Sequence, residues 1–283
     1  MNQSNQPLVS VVIPCYNHER FVQDSIQSVI DQTYQNIELI IIDDGSKDGS
    51  VEKIQEMIPT CQKRFIRFEF RHRPNKGLSA TLNEALEWCE GEYFSGLASD
   101  DLMLKQKIKR QVEIFQQEAV VAVFGAVQLI DNNSNKIGEI RQSDKIFAFN
   151  DLIYTDRFLP APTQMIKLDK LREVGGFIEG MIIEDWYIYL KILESGSKII
   201  YIDELFCSYR SHDSNTFSNP YKMALGRLQV INEFKDQNSF KKTFIKICWD
   251  NALDTLLLDF KLSLLILVSR IGYKLRNLLK KLI

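Results

Sequence analysis

The first hundred residues switch repeatedly between two hydrophobic periods, and few architectures accept that alternation. Leu8–Ile13 is a nearly continuous apolar run stopped by Pro14, as expected of a strand buried on both faces. Phe21, Val22, Ile26, Val29 and Ile30 then recur at helical spacing. Ile37–Ile42 predicts a second strand, Ser50–Ile58 a helix, Phe65–Phe70 a third strand, Leu78–Trp88 a helix and Tyr93–Leu97 a fourth strand. Strands alternating with helices pair in parallel, because each crossover helix folds back over the sheet. The expected class is therefore α/β: a Rossmann-like, mostly parallel sheet with helices on both faces.

The pattern then changes. Val120–Ile130 and Lys136–Ile140 flank the turn residues Asp131–Asn135, a hairpin signal. Asp131, Asn133 and Asn135 also imitate the start of a calcium loop, but Lys136 stands where the turn glycine belongs and Gln142 where the bidentate acid belongs. From Tyr221 the chain reads as helical. At 283 residues it has room for one large domain, or for one domain and a helical appendage. The division expected is 1–219 for the main domain, with a nucleotide half at about 1–101 and an acceptor half at about 102–219, followed by a C-terminal helical extension at 220–283.

Lys+Arg 35 against Asp+Glu 37 gives a net charge of -2, which offers no overall attraction for nucleic acid. The five cysteines are scattered without a CxxC pair, which suits a reducing compartment and argues against zinc. Met1–Pro7 lacks the basic and apolar regions of a signal peptide. No apolar run approaches the ~20 residues that span a bilayer. The expected location is cytoplasmic.

Two of the four predicted strands end in an acidic pair, Asp43-Asp44 and Asp100-Asp101. Ligands of open α/β sheets bind at the carboxyl ends of the strands. A helix cap would need one acid, and adjacent like charges repel unless a cation or donor offsets them. Neither GxGxxG nor a P-loop is present. A carboxylate pair is a hard-oxygen set suited to Mn²⁺ or Mg²⁺, which commonly shares phosphate oxygens. That points to a diphosphate-containing substrate. A third pair, Glu184-Asp185, precedes Trp186 at the start of an amphipathic run. Those acids suit a helix N-terminus, or a general base beside an aromatic platform.

Seven motifs in order then resemble the family-2 glycosyltransferases of the GT-A fold: Val9–Asn17, Ile41–Ser50, Asn75–Ser79 with Asn83, Ser99-Asp100-Asp101, Gly175-Gly176-Phe177, Glu184-Asp185 and Tyr209–His212. The resemblance covers roughly Val9–His212. It implies transfer of a sugar from a nucleotide diphosphate donor, UDP by family preference, to a hydroxyl acceptor with inversion. It also implies roles. Pro14, Cys15, Tyr16 and Asn17 resemble the wall of the base pocket, and Asp43 the acceptor from the uracil ring, with Asp44 beside it. Asp100 resembles the ribose or sugar contact, with Ser99 beside it at the donor site, and Asp101 the metal ligand. Gly176 and Phe177 are similar to the acceptor loop, where Glu184 and Trp186 join them, and Asp185 resembles the base. Lys76, beside Gly77, and Arg210 are candidate cations for the diphosphate, and His212 is a candidate further metal or phosphate ligand. Ser99 departs from the family's metal motif, which leaves Asp101 with little help.

In residues 262–283, Leu264, Leu267, Val268, Ile271, Leu275, Leu278, Leu279 and Leu282 fall on one helical face, while Arg270, Lys274, Arg276, Lys280 and Lys281 fall mostly away from it. Such a segment suits an anionic membrane surface, or packing on the main domain or on a second copy in a homodimer. Peripheral attachment at the inner face of the cytoplasmic membrane, and a glycan or polyprenyl-linked acceptor, are the corresponding expectations. Two rivals share the acids. A sugar-phosphate nucleotidyltransferase would need a glycine-rich basic loop after the first strand. A catalytically dead glycan-binding protein would have no chemical need for Asp43, Asp101 and Asp185 together.

Overall fold

The computed structural model describes residues 6–154, 159–211 and 219–256. His212 and the segment 262–283 lie outside them. The first hundred residues form β1 (Val9–Cys15), α1 (Val22–Ile30), β2 (Ile37–Asp43), α2 (Ser50–Arg64), β3 (Arg67–His72), α3 (Leu78–Trp88) and β4 (Tyr93–Gly96). These strands pair in parallel in the order β3-β2-β1-β4. Alternate residues feed opposite cores: Val12, Ile40 and Ile42 join one apolar cluster, while Val11, Ile13, Leu39 and Ile41 join the other. Burial on both faces is why these strands read as continuous apolar runs.

Two features depart from the simple periodic reading. α2 runs through Pro59 to Arg64 rather than stopping at Ile58. Its end is tied down by the Arg64 guanidinium, which donates to the carbonyls of Ile30, Gln32 and Tyr34. Anchoring of this kind offsets the hydrogen bond that proline removes. Glu38 lies fully buried in β2, satisfied by Ser10, Arg67 and the amides of Glu90 and Gly91. A buried carboxylate persists only when paired and hydrogen-bonded in this way.

Beyond β4 come β5 (Leu102–Met103), α4 (Lys107–Gln117), β6 (Ala122–Ile130), β7 (Lys136–Ile140), β8 (Lys145–Phe147), α5 (Phe149–Ile153), β9 (Met165–Lys167), α6 (Leu168–Glu173), α7 (Glu184–Glu194) and β10 (Ile199–Arg210). The sheet continues as β4-β9-β6-β10-β5, with β7 on β6 and β8 on β10. β9 is antiparallel to both β4 and β6, whereas β6 and β10 are parallel. The predicted hairpin is β6–β7. Its turn is organised by Asp131, whose Oδ1 accepts from the amides of Asn133 and Asn135, so this acid closes a turn.

The chain then forms α8 (Pro220–Glu233) and α9 (Phe240–Leu256), joined by Arg227 to Asn251 at 2.9 Å and Asn251 to the Ala224 carbonyl at 3.0 Å. Gly226 lets α8 approach the residue before α7 closely: a Cβ there would lie 2.6 Å from Ile183 Cγ1. The helical extension thus buttresses the start of α7. Among the described residues, no helix is long and apolar enough to cross a membrane.

Candidate active site

β1 and β2 end in register, with Cys15 opposite Asp43. β4 flanks β1 on its other side, and Ser99-Asp100-Asp101 follows its carboxyl end. Three chain segments therefore meet at one rim by topology alone. Cys15 is buried there, and burial pushes its thiol up to about 12, so it is a neutral wall residue. It follows the half-buried Pro14. Tyr16 is 46% exposed beside it and offers an open aromatic face. Asn17 adopts φ 55° and latches the two loops: its amide donates to Ser46 Oγ at 2.8 Å, and its Oδ1 accepts from the Lys47 amide at 2.7 Å.

Asp43 is completely buried. Its carboxylate accepts from the amides of Gly45 and Ser46 and from Ser46 Oγ, and His72 Nδ1 lies 2.9 Å away. Asp44 accepts from the amides of Lys76 and Gly77, at 2.8 and 2.9 Å, and pairs with Arg73. That contact fixes the loop entering α3 and leaves Lys76 exposed on it. His18 closes the rim. Its Nδ1 lies 2.8 Å from Ser99 Oγ, and its Nε2 is 3.8 Å from Asp100 Oδ2. The contacts of His18, His72 and Arg73 each span about thirty or more positions, so nothing local in the sequence signals them.

Asp101 lies fully buried and accepts from the Arg210 amide at 2.8 Å. Burial, with Asp100 next to it, pushes its carboxyl well up. Arg210 departs from the expectation of a free cation. It is 1% exposed, donates to the carbonyls of Asp100 and Asp131 at 2.9 and 2.8 Å, and lies over the Phe21 ring. The reason is its place at the end of β10, directly behind the acidic loop, where it acts as a brace. Asp100 and Asp101 are hard-oxygen donors whose mutual repulsion a divalent cation would offset, so the donor set fits Mn²⁺ or Mg²⁺. Among the described residues, no group of three or more His, Cys, Asp or Glu could hold a metal by itself.

Glu184 and Asp185 form the first turn of α7, whose inner face packs Tyr189 and Ile188 into the cluster that holds Val12, Ile40 and Phe94. Asp185 Oδ1 accepts from the Trp186 amide at 2.7 Å. Burial, together with the Asp185 charge, pushes Glu184 up to about 8, and burial raises Asp185 as well. Trp186 packs half-buried against the same cluster. The Gly176-Phe177 loop is fixed by Asn83 of α3, which accepts from the Phe177 amide at 2.8 Å and donates to its carbonyl at 2.7 Å. Phe177 itself is buried against Phe94, so the backbone of this loop is what it presents.

The sequence model described as Glycosyl transferase family 2 matches residues 10–178. An uncharacterized glycosyltransferase of Haemophilus influenzae is 30% identical over 227 residues, 80% of this chain and 88% of that protein. The Escherichia coli UDP-Glc:alpha-D-GlcNAc-diphosphoundecaprenol beta-1,3-glucosyltransferase WfgD is 29% identical over 238 residues, 80% and 86% of the two chains. Among solved structures, the mannosyltransferase PcManGT of Pyrobaculum calidifontis, in complex with GDP-Man and Mn2+, superposes with a TM-score of 0.67 at 15% identity, covering 96% of this chain and 82% of that one.

Proposed function

This chain belongs to glycosyltransferase family 2, and from that premise we propose that it transfers a sugar from a UDP-sugar to a hydroxyl of a glycan or polyprenyl-linked acceptor, with inversion. The observation that carries the reading is the convergence of the Cys15–His18 turn, the Asp43–Ser46 loop and Ser99–Asp101 at the ends of adjacent strands. Tyr16 and Asn17 would border the base. Asp43 and Asp44 hold the loops against which the nucleotide lies, and Lys76 supplies an exposed cation for the diphosphate. We assign the donor loops to the nucleotide half, about 1–101, and the base to the acceptor half, about 102–219.

Asp185 is assigned as the base. An acceptor hydroxyl is a poor nucleophile at neutral pH, and a carboxylate within hydrogen-bond reach takes its proton as attack begins. With Glu184 raised to about 8, it holds a proton at pH 7. Burial raises Asp185 as well, and the N-terminus of α7 favours its charged form. One base and one displacement give inversion. Asp100 and Asp101 would hold a divalent cation whose chemistry is to stabilise the charge of the departing diphosphate. A UDP-linked donor and lipid-linked acceptor are supported by the likeness to WfgD, and a divalent metal by the likeness to PcManGT.

The test is release of UDP from UDP-sugars on addition of polyprenyl-diphosphate-linked glycans. Acceptor-dependent release that EDTA abolishes is expected; full turnover in EDTA removes the metal role of Asp101. The five cations of 262–283 are each worth about 1 kcal/mol near an anionic surface. Deleting the residues after Asp259 is therefore expected to move the protein off vesicles containing anionic lipid, and unchanged partition would favour packing of that segment on protein.

A further inference from the structure

Between α5 and β9 lies a strap, residues 160–164, whose polar groups are held with unusual thoroughness. Three successive carbonyls each accept from a buried side chain. Cys207 Sγ of β10 meets Pro162 O at 2.8 Å. Gln111 Nε2 of α4 donates to Thr163 O at 2.6 Å. Ser95 Oγ of β4 and Lys107 Nζ of α4 donate to Gln164 O at 3.1 and 3.2 Å. Lys107 is 1% exposed, and burial lowers its ammonium to about 8. Lysine is almost never fully buried, and an apolar side chain would fill the space at less cost. The arrangement fixes the strap's position rather than merely filling volume.

One side chain leads from the strap toward the acid pair. Gln164 Oε1 accepts from Tyr189 Oη at 3.2 Å. The Gln164 amide nitrogen lies against β4 at Gly96, where a Cβ would stand 3.0 Å from it. Glycine at this strand position leaves room for the amide. Tyr189 is four residues beyond Asp185 on α7 and therefore on the same face. It is buried, and both Asp185 and Glu184 act on it electrostatically. The contacts begin on β4, which leads into the Asp100-Asp101 loop, and on α4, which follows that loop and the short β5, and they end one turn from the proposed base.

We propose that Gln164 and Tyr189 are positioning residues for sugar transfer: through the 160–164 strap they fix the first turn of α7 against β4, so that base and donor loop keep one spacing. This rests on the assignment of Asp185 as the base. Reacting atoms must be held in a near-attack arrangement, and a displacement of about 1 Å costs up to ~10²-fold in rate. The ionisable groups that act on Tyr189 are Asp185 and Glu184 on its own helix, while Lys107 and Cys207 contact the carbonyls of the strap.

Tyr189→Phe removes one oxygen and keeps the ring packed on Phe124, at 4.7 Å. The expected result is a fall in kcat of about 10-fold, with the affinity for UDP and Mn²⁺ unchanged and a displaced acid limb in the pH profile of kcat. Gln164→Met should show the same loss, the double variant should be no worse than either single one, and Gln164→Glu, which keeps an acceptor for Tyr189, should recover part of it. Wild-type kcat and pH profile in Tyr189→Phe, with only a lower Tm, would overturn the proposal. Loss in Asp185→Asn alongside full activity in Tyr189→Phe removes the positioning role alone. Full activity in Asp185→Asn removes the base assignment and this proposal with it.

Discussion

The acids at the ends of β1 and β2, Asp43 and Asp44, and those at the start of α7 are carboxylate pairs in opposite surroundings. Asp43 and Asp44 are surrounded by donors: loop amides, Ser46, His72 and Arg73. Glu184 and Asp185 are half-buried with little beyond local backbone amides among the described residues, and both are pushed up. Saturated carboxylates shape loops; an undersupplied carboxylate has capacity left to take a proton. Under the proposed function the two regions would divide binding from chemistry, although each is acidic.

The largest effect that could break this division is expected from Asp185→Asn, which should lower kcat by at least ~10²-fold in a UDP-release assay. Survival of activity would transfer the role to Glu184. On the binding side, Asp44→Ala leaves Arg73 and two loop amides without their acceptor. A loss of about 2–3 kcal/mol in stability to urea is expected, because buried partners are left unsatisfied. Weakened UDP binding should accompany it, with a smaller change in kcat at saturating donor.

A smaller and sharper effect concerns pH. Glu184 has a folded-state pKa near 8, above its unfolded value, so the native state holds a proton that the unfolded chain has lost. Stability from this group is complete below the ordinary carboxylate range and falls as pH rises toward about 8. Glu184→Gln should therefore flatten the decline of Tm between pH 5 and 8, by on the order of 1 kcal/mol in stability. An unaltered decline would place the titration elsewhere. In the same way, the raised Asp185 predicts an acid limb of kcat/KM with its midpoint above the ordinary aspartate value.

What the sequence disclosed follows the same division. The parallel strands were legible because burial on both faces writes an unbroken apolar run, and the rim acids because they stop those runs. The start of α7 was legible as acids before an amphipathic stretch, but their shortage of donors was not. Arg210 illustrates the limit: its bonds to Asp100 and Asp101 span 110 and 109 positions, and no periodicity reports such a pairing. The strap around Pro162 is equally silent, since a proline-bearing turn has no apolar period and its donors, Lys107, Gln111 and Cys207, come from other elements. Glu38 shows the converse, a charge hidden in a strand whose neighbours made it read as apolar.

Calorimetric titration of UDP with Mn²⁺ into Asp185→Asn, set beside Asp101→Asn, tests the separation of binding from chemistry most directly. Wild-type affinity in Asp185→Asn, with affinity largely lost in Asp101→Asn, is the predicted result. Equal loss of affinity in both variants would contradict it.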